Sequence, residues 1–423
     1  MHRAYHWRMD STDLPYFVSR PLEVANAAVR QESERALAKL IGAEPRLELF
    51  SNLERADDLA AARTVAKGLS KNSSVIFVLG IGGSSLGGQA LKDLQAPNAG
   101  LEVFFLDNPD PVTYERALAS ADLKTARFIA ISKSGGTPET LAQTLVAADA
   151  LKRAGGGNYL KQHFVVITEP KKSPLKQFAA EIGCPVLDHP LGIGGRYSVL
   201  TVVGLLPALL MGLDAAALRD GARAVLKRAS SAGSPPALGA AEHAALVRAG
   251  QIKETVLWCY SDRLKTFAPW WRQLWAESLG KNGKGTTPVP ALGPVDQHSQ
   301  LQLFLDGPGG ALFTLIDCAT AGQGPLLPEA DAKRLGLTYL AGRRLGDLVD
   351  AEARATAETL TKRGRSVRGL TVPRLDERAL GALFMHFMLE TILMGHLTGV
   401  DPFDQPAVEE GKVLARKYLE SRG

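Results

Sequence analysis

Cysteine is scarce in this chain. The three residues present, Cys184, Cys259 and Cys318, stand far apart and in an odd number. Their spacing excludes a zinc framework and a disulfide scaffold, and three buried, reduced thiols are expected instead. Nowhere is a Lys/Arg cluster interleaved with aromatics, so nucleic-acid binding is set aside. Long apolar runs are missing too. The longest, about 199–213, is broken by Thr201, Gly204 and Pro207 and falls short of the roughly 20 residues a membrane span needs. The first twenty residues are charged and lack an apolar centre, so no signal peptide is expected, and a cytoplasmic location away from the membrane follows.

What the chain does have is the composition of a globular protein. Its 423 residues are 45% hydrophobic and 22% charged, enough for two or three domains, each with its own core. The net charge of +5 suits an anionic substrate, and equally suits many housekeeping proteins.

Short β-rich runs at 75–79, 103–106, 128–131 and 164–167 alternate with helical periods such as 139–152. That alternation predicts a parallel sheet with helices on both faces. A long apolar helix is expected from 195 to about 212, then an Ala-rich helical stretch to about 230. The Ser-Ala-Gly-Ser-Pro-Pro segment 231–236 is the best boundary. Beyond it the pattern resumes with strands at 255–259, 311–316 and 367–372, helices at 265–278 and 345–362, and two closing helices at 377–397 and 406–420. The expected division is an N-terminal helical segment 1–50, α/β units 51–230 and 231–375, and C-terminal helices 376–423.

Two Gly- and Ser-rich loops follow strands. Gly80-Ile-Gly-Gly-Ser-Ser-Leu-Gly87 opens a helix, where backbone amides and the helix N-terminus favour an anion. Asp107 at the end of the next strand invites a dinucleotide reading, but Ser85 occupies the place of the third glycine. A tight turn, an anion site and a nucleotide site all remain open for this loop. The second loop, Ser132-Lys-Ser-Gly-Gly-Thr-Pro-Glu-Thr140, puts Thr137 at an N-cap and Pro138 at the first helical position. Its three hydroxyls at a helix N-terminus form a phosphate cradle. The absence of a G-K-[ST] ending excludes an ATPase P-loop.

Gly195-Arg196-Tyr197-Ser198 sets an arginine at an expected helix start, where it opposes the macrodipole unless an anion answers it. In Trp270-Trp-Arg-Gln-Leu-Trp-Ala-Glu277, Gln273 and Glu277 share one helical face. Tryptophans around Glu277 would desolvate its carboxylate and raise its pKa toward the range of a general base. His298 and Gln302 are four apart on another expected short helical stretch, and Gln405 and Lys412 are seven apart, two turns along, so that pair can face one cleft.

Together and in this order, the segments 80–84, 132–139, 195–198, 273–281 and 403–412 resemble the glucose-6-phosphate isomerase family in its shorter bacterial form. The resemblance implies two sugar-isomerase domains, each a parallel α/β sheet, and a homodimer whose active site borrows a residue from the partner chain. It implies reversible isomerisation of glucose 6-phosphate and fructose 6-phosphate, with no cofactor or metal. By the same resemblance, Ser132, Ser134 and Thr137 hold the phosphate with Lys133 nearby, and Gly83, Ser84 and Gly195 line the sugar. Arg196 faces the reacting carbons, oriented by Glu139. Glu277 is the general base, His298 and Lys412 open the ring, and Gln273 and Gln405 are polar wall residues. The phosphate loop departs from many relatives in reading Ser-Gly-Gly, which puts backbone amides in place of one hydroxyl contact. The stretch before His298 matches loosely, so His386 and His396 are fallbacks. An isomerase also accepting mannose 6-phosphate and a non-catalytic sugar-phosphate sensor are the alternatives.

Overall fold

A computed structural model describes residues 17–97 and 99–421. Among these residues, ten strands form two five-stranded sheets. In chain order they are β1 Val18–Arg20, β2 Val75–Leu79, β3 Glu102–Leu106, β4 Ala126–Ile131, β5 Phe164–Thr168, β6 Val186–Asp188, β7 Glu254–Tyr260, β8 Thr287–Leu292, β9 Ala311–Asp317 and β10 Ser366–Thr371. The first sheet has the order β3-β2-β4-β5-β6 and is parallel throughout. Its central strands are buried from end to end, as expected of strands with helices on both faces. In the second, β1-β10-β9-β7-β8, only β1 runs antiparallel, pairing Val18 with Thr371.

Three of the helices that cross back over the first sheet begin alike, with proline in the first turn: Pro111–Ala119, Pro138–Leu151 and Pro174–Ile182. The fixed φ of proline suits that position, and its missing N–H is no loss there. Asp110 and Ser173 cap their own helices through their side chains.

Helices Ala215–Ala229, Pro235–Arg248 and Phe267–Leu279 pack against the buried helix Glu377–Thr398. It is long and apolar enough to cross a membrane, and 94% of its most apolar stretch is buried inside the protein. This helix, rather than the run at 199–213, is therefore the most span-like segment among the described residues, and burial explains its composition. One charge sits in its middle. Glu390 is fully buried and is answered by Arg368 Nη2 at 2.6 Å and His386 Nε2 at 3.3 Å. All three cysteines are buried and free.

The long helix expected from 195 is interrupted. Residues Gly195–Leu200 form a 3-10 turn, Thr201 turns extended and caps Val203, and the α-helix is only Val202–Leu210. The segment expected as N-terminal helix supplies β1 as well as helix Ala27–Ile41, while residues 1–16 lie outside the described part.

Candidate active site

In the first sheet the chain leaves β2 toward β3 on one side and places β4 on the other. Loops at such a reversal diverge beyond the carboxyl ends of the strands and open a crevice, the usual ligand position in parallel α/β sheets. The two loops flanking it here are Gly80–Ser84 and Ser132–Thr137, the two singled out by their glycines and hydroxyls.

The first loop is a packing hub. Gly82 has φ +58°, and a Cβ there would stand 2.9 Å from Gln273 Nε2. At Gly83 a Cβ would come within 2.2 Å of the Gly195 carbonyl carbon. Only glycine lets these backbones touch, and this contact brings the Arg196 turn and the Gln273 helix to the mouth of the sheet. Ser84 is half-buried beside them. Ser85 is fully buried and accepts a hydrogen bond from Gln89, which also donates to Asp107.

In the second loop the Ser132 hydroxyl turns inward, 2.8 Å from Thr137 Oγ1, and accepts from the Gly135 amide. Ser134 is exposed, and its Oγ accepts from Gly136. Thr137 holds the N-cap position with Pro138 next, as expected, yet its side chain makes no cap bond. The first turn of Pro138–Leu151 thus keeps its amides open toward the crevice, as an anion site requires. The Lys133 carbonyl is tied to Thr168 Oγ1 and Glu169 N. Its ammonium is 3.8 Å from Glu169.

Arg196 is almost fully buried and uses all five of its N–H groups. Nε donates to Ser278 Oγ at 2.8 Å. Nη1 donates to Glu277 Oε2 at 3.3 Å and Gln405 Oε1 at 2.6 Å. Nη2 donates to the carbonyls of Pro402 and Asp404 at 2.7 and 3.1 Å. Glu139, in the first turn of Pro138–Leu151, is not among these partners, so in this structure orientation of the guanidinium falls to Ser278, Gln405 and the two carbonyls. Nor does Arg196 oppose a helix dipole, because its turn is separated from Val202–Leu210 by Thr201.

Glu277 lies near the end of helix Phe267–Leu279 with its side chain one-third exposed, at 33%. Gln273, one turn earlier, donates to Oε1 at 2.9 Å. The tryptophans do not wall this carboxylate. Trp270 and Trp271 pack on Phe384 and Phe387, and Trp275 packs on His243, all on the core side. What surrounds Glu277 is polar, because the helix turns one face to the core and the other to the crevice.

Segment 401–405 closes this group from above. Lys281 pairs with Asp404 at 2.6 Å and donates to the Asp401 carbonyl. The Phe403 ring lies 5.6 Å from that of Tyr197. Gln405 is thereby brought to Arg196. Lys412 is not: helix Glu409–Glu420 is exposed along its whole length, and the Lys412 ammonium pairs with Glu409 at 2.6 Å. His298 is exposed at the end of a 3-10 turn, whereas Gln302 belongs to helix Leu301–Asp306, so the two do not share one helical face. Among the described residues, no hydrogen bond or ion pair joins His298 to Arg196, Glu277 or Gln405. His386 is buried against Glu390, and His396 is exposed at the far end of its helix. Among the described residues, neither fallback is hydrogen-bonded or ion-paired to Arg196, Glu277 or Gln405.

Sequence reasoning did not single out Ser278, Tyr197 as a hydrogen-bonding residue, or the 402 and 404 carbonyls. Carbonyls leave no trace in side-chain identity, but Ser278 stands directly beside Glu277 and could have been noticed there.

The family model of phosphoglucose isomerase matches residues 45–290, more than half of the chain. A glucose-6-phosphate isomerase of Rubrobacter xylanophilus is 36% identical over 86% of this chain and 87% of its own. One from Thermus thermophilus is also 36% identical, over 97% and 99%. The crystal structure of a glucose-6-phosphate isomerase from Chlamydia trachomatis, 20% identical, superposes with a TM-score of 0.83 over 97% of this chain and 89% of that one, a likeness of fold. With this coverage and these identities, the chain belongs to the phosphoglucose isomerase family.

Proposed function

We propose that this chain interconverts glucose 6-phosphate and fructose 6-phosphate, a step of glycolysis and gluconeogenesis. The observation that carries the reading is the pairing of a buried guanidinium with a solvent-reachable carboxylate, Arg196 and Glu277, at the mouth of the hydroxyl-lined crevice. The names of the relatives support the substrate pair. The phosphate is assigned to Ser134, Thr137 and the open amides of the following helix, with Ser132 shaping the loop and Lys133 adding positive charge. Glu277 takes the proton from C2 and returns it at C1. The enediolate that forms between these steps carries negative charge, which Arg196 offsets from a fixed position. Oxidation at one carbon balances reduction at its neighbour, so the residues named complete the chemistry without a redox partner. A sensor would need the phosphate loop but has no use for a base paired with an arginine, which favours the enzyme.

Ring opening is assigned to His298 and Lys412, within a homodimer that completes each site. Both residues are exposed and stand apart from Arg196 and Glu277 in the single chain. Helix Glu409–Glu420 presents Val413, Leu414, Tyr418 and Leu419 to solvent, an apolar set that a second copy could cover. The division into units 51–230 and 231–375 and a cytoplasmic setting belong to the same reading.

A coupled assay tests it. Purified protein given fructose 6-phosphate, with chelator and without nucleotide, should form glucose 6-phosphate at a rate proportional to enzyme. No turnover under those conditions overturns the proposal.

A further inference from the structure

Arg196 belongs to a closed ring of hydrogen bonds that does not touch the crevice. Its Nε donates to Ser278 Oγ at 2.8 Å, and Ser278 Oγ lies 3.0 Å from Tyr197 Oη. Tyr197 Oη donates to the Pro402 carbonyl at 3.2 Å, and the same carbonyl accepts from Arg196 Nη2 at 2.7 Å. A carbonyl only accepts and a guanidinium only donates, so with the Tyr197 hydroxyl donating to Pro402 the Ser278 hydroxyl is left to donate to Tyr197. Burial pushes the Tyr197 phenol up to about 12, which keeps that proton in place at neutral pH. Ser278 and Tyr197 are fully enclosed, at 0% and 1% exposure, so neither can meet a substrate.

The ring leaves a single edge of the guanidinium outside it on the crevice side. Nε and one Nη2 proton are committed to the ring, and the other Nη2 proton to Asp404. The two Nη1 protons face Glu277 and Gln405, the only partners of Arg196 that lie on the crevice. Charge appearing on a bound substrate can therefore recruit Nη1 without the arginine reorienting.

We infer that Ser278 and Tyr197 are positioning residues for isomerisation: through the ring they fix the guanidinium plane of Arg196 so that its Nη1 edge alone exchanges partners as the enediolate charge develops. The inference rests on the function proposed above. A plain packing role for these side chains would weaken every property together. Positioning would act on the transition state and spare the ground state.

Two substitutions separate these cases. In Ser278→Ala and Tyr197→Phe, kcat should fall about tenfold or more while KM for fructose 6-phosphate changes less than about twofold. Ser278→Thr, which retains the hydroxyl, should recover most of the loss. Two inhibitors read the same distinction. 5-Phosphoarabinonate, whose carboxylate imitates the enediolate, should bind Ser278→Ala about tenfold more weakly, and sorbitol 6-phosphate, which has no carbonyl, should bind it as before. Equal losses for both inhibitors, or an unchanged kcat, overturn the inference. Should the wild-type protein itself fail to isomerise, the functional reading falls, and the ring is still tested by thermal unfolding. The Tm losses of the two single variants should not add in the double variant, because either change opens the same ring, and full additivity refutes it.

Discussion

Arg196 Nη1 stands 3.3 Å from Glu277 Oε2, the longest of the five hydrogen bonds that the guanidinium makes. It is the contact most readily exchanged for another, and in the proposed mechanism its release would free the carboxylate for proton transfer. Replacing Glu277 by Gln keeps the shape, the Gln273 neighbour and the arginine, but removes the base. Isomerisation should fall by about 10²–10⁴, and exchange of the C2 hydrogen with solvent should fall with it. Ring opening is assigned to other residues, so anomers of glucose 6-phosphate should still interconvert faster than in buffer. NMR follows both on one sample, and deuterium incorporation near the wild-type rate would mean that Glu277 is not the base.

Thr137 connects the phosphate loop to the helix behind it through its bond to Ser132. Thr137→Val is nearly isosteric and deletes the hydroxyl. KM for fructose 6-phosphate and the inhibition constant for inorganic phosphate should both rise about tenfold, the equivalent of roughly 1.4 kcal/mol, with kcat changed far less. Values equal to wild type for both would remove the threonine from the phosphate site.

The positions of His298 and Lys412 make a complementation experiment decisive for the dimer. Inactive His298→Ala and inactive Glu277→Gln chains, mixed under conditions where subunits exchange, should regain part of the activity, because one of the two hybrid sites carries both residues. No recovery, with exchange demonstrated by differently tagged chains, counts against shared sites.

Acid should loosen the core before it reaches the carboxylates of the surface. Burial, aided by Arg368 and opposed by Glu390, lowers the His243 pKa to about 3, and His386 is lowered as well. Between the ordinary histidine value of about 6.5 and about 3, the unfolded chain binds more protons than the native one. Stability is therefore fully present above about pH 6.5 and declines as pH falls through that window, by up to about 1.4 kcal/mol per unit for His243; His386 acts in the same direction. Urea unfolding at pH 7, 6 and 5 measures the slope. His243→Gln should flatten it, and a slope unaltered by that substitution would assign the acid sensitivity elsewhere.

How much of this could be read from the sequence depends on where each residue's identity is dictated. The strand expected at 75–79 has those bounds, because Val-Ile-Phe-Val-Leu is buried on both faces and its hydrophobicity is uninterrupted. β8 escaped notice because Pro288 and Pro290 interrupt its pattern, and proline is tolerated there only because β8 is the outer strand of its sheet. β1 and β6, three residues each, are too short for any period to show. The tryptophans of helix Phe267–Leu279 face the core rather than Glu277, a choice that composition cannot show because it says nothing of which face a side chain takes. The turn from β4 into helix Pro138–Leu151, by contrast, is legible, since glycines followed by Thr-Pro mark a helix start.

The bonds that seat Arg196 join residues far apart in sequence. Gln405 is 209 residues downstream of it and Pro402 is 206. β1, near the start of the described chain, pairs with β10 at Ser366–Thr371. During synthesis, at roughly 5–20 residues per second, Arg196 therefore waits roughly 10–40 s for the segment that holds it. A ribosome-bound chain stopped short of residue 402 would carry the 132–137 loop and Glu277, and its Arg196 guanidinium would still be without its fixed carbonyl partners. The seating of Arg196 thus arrives late in synthesis, only once residues 402–405 have been made.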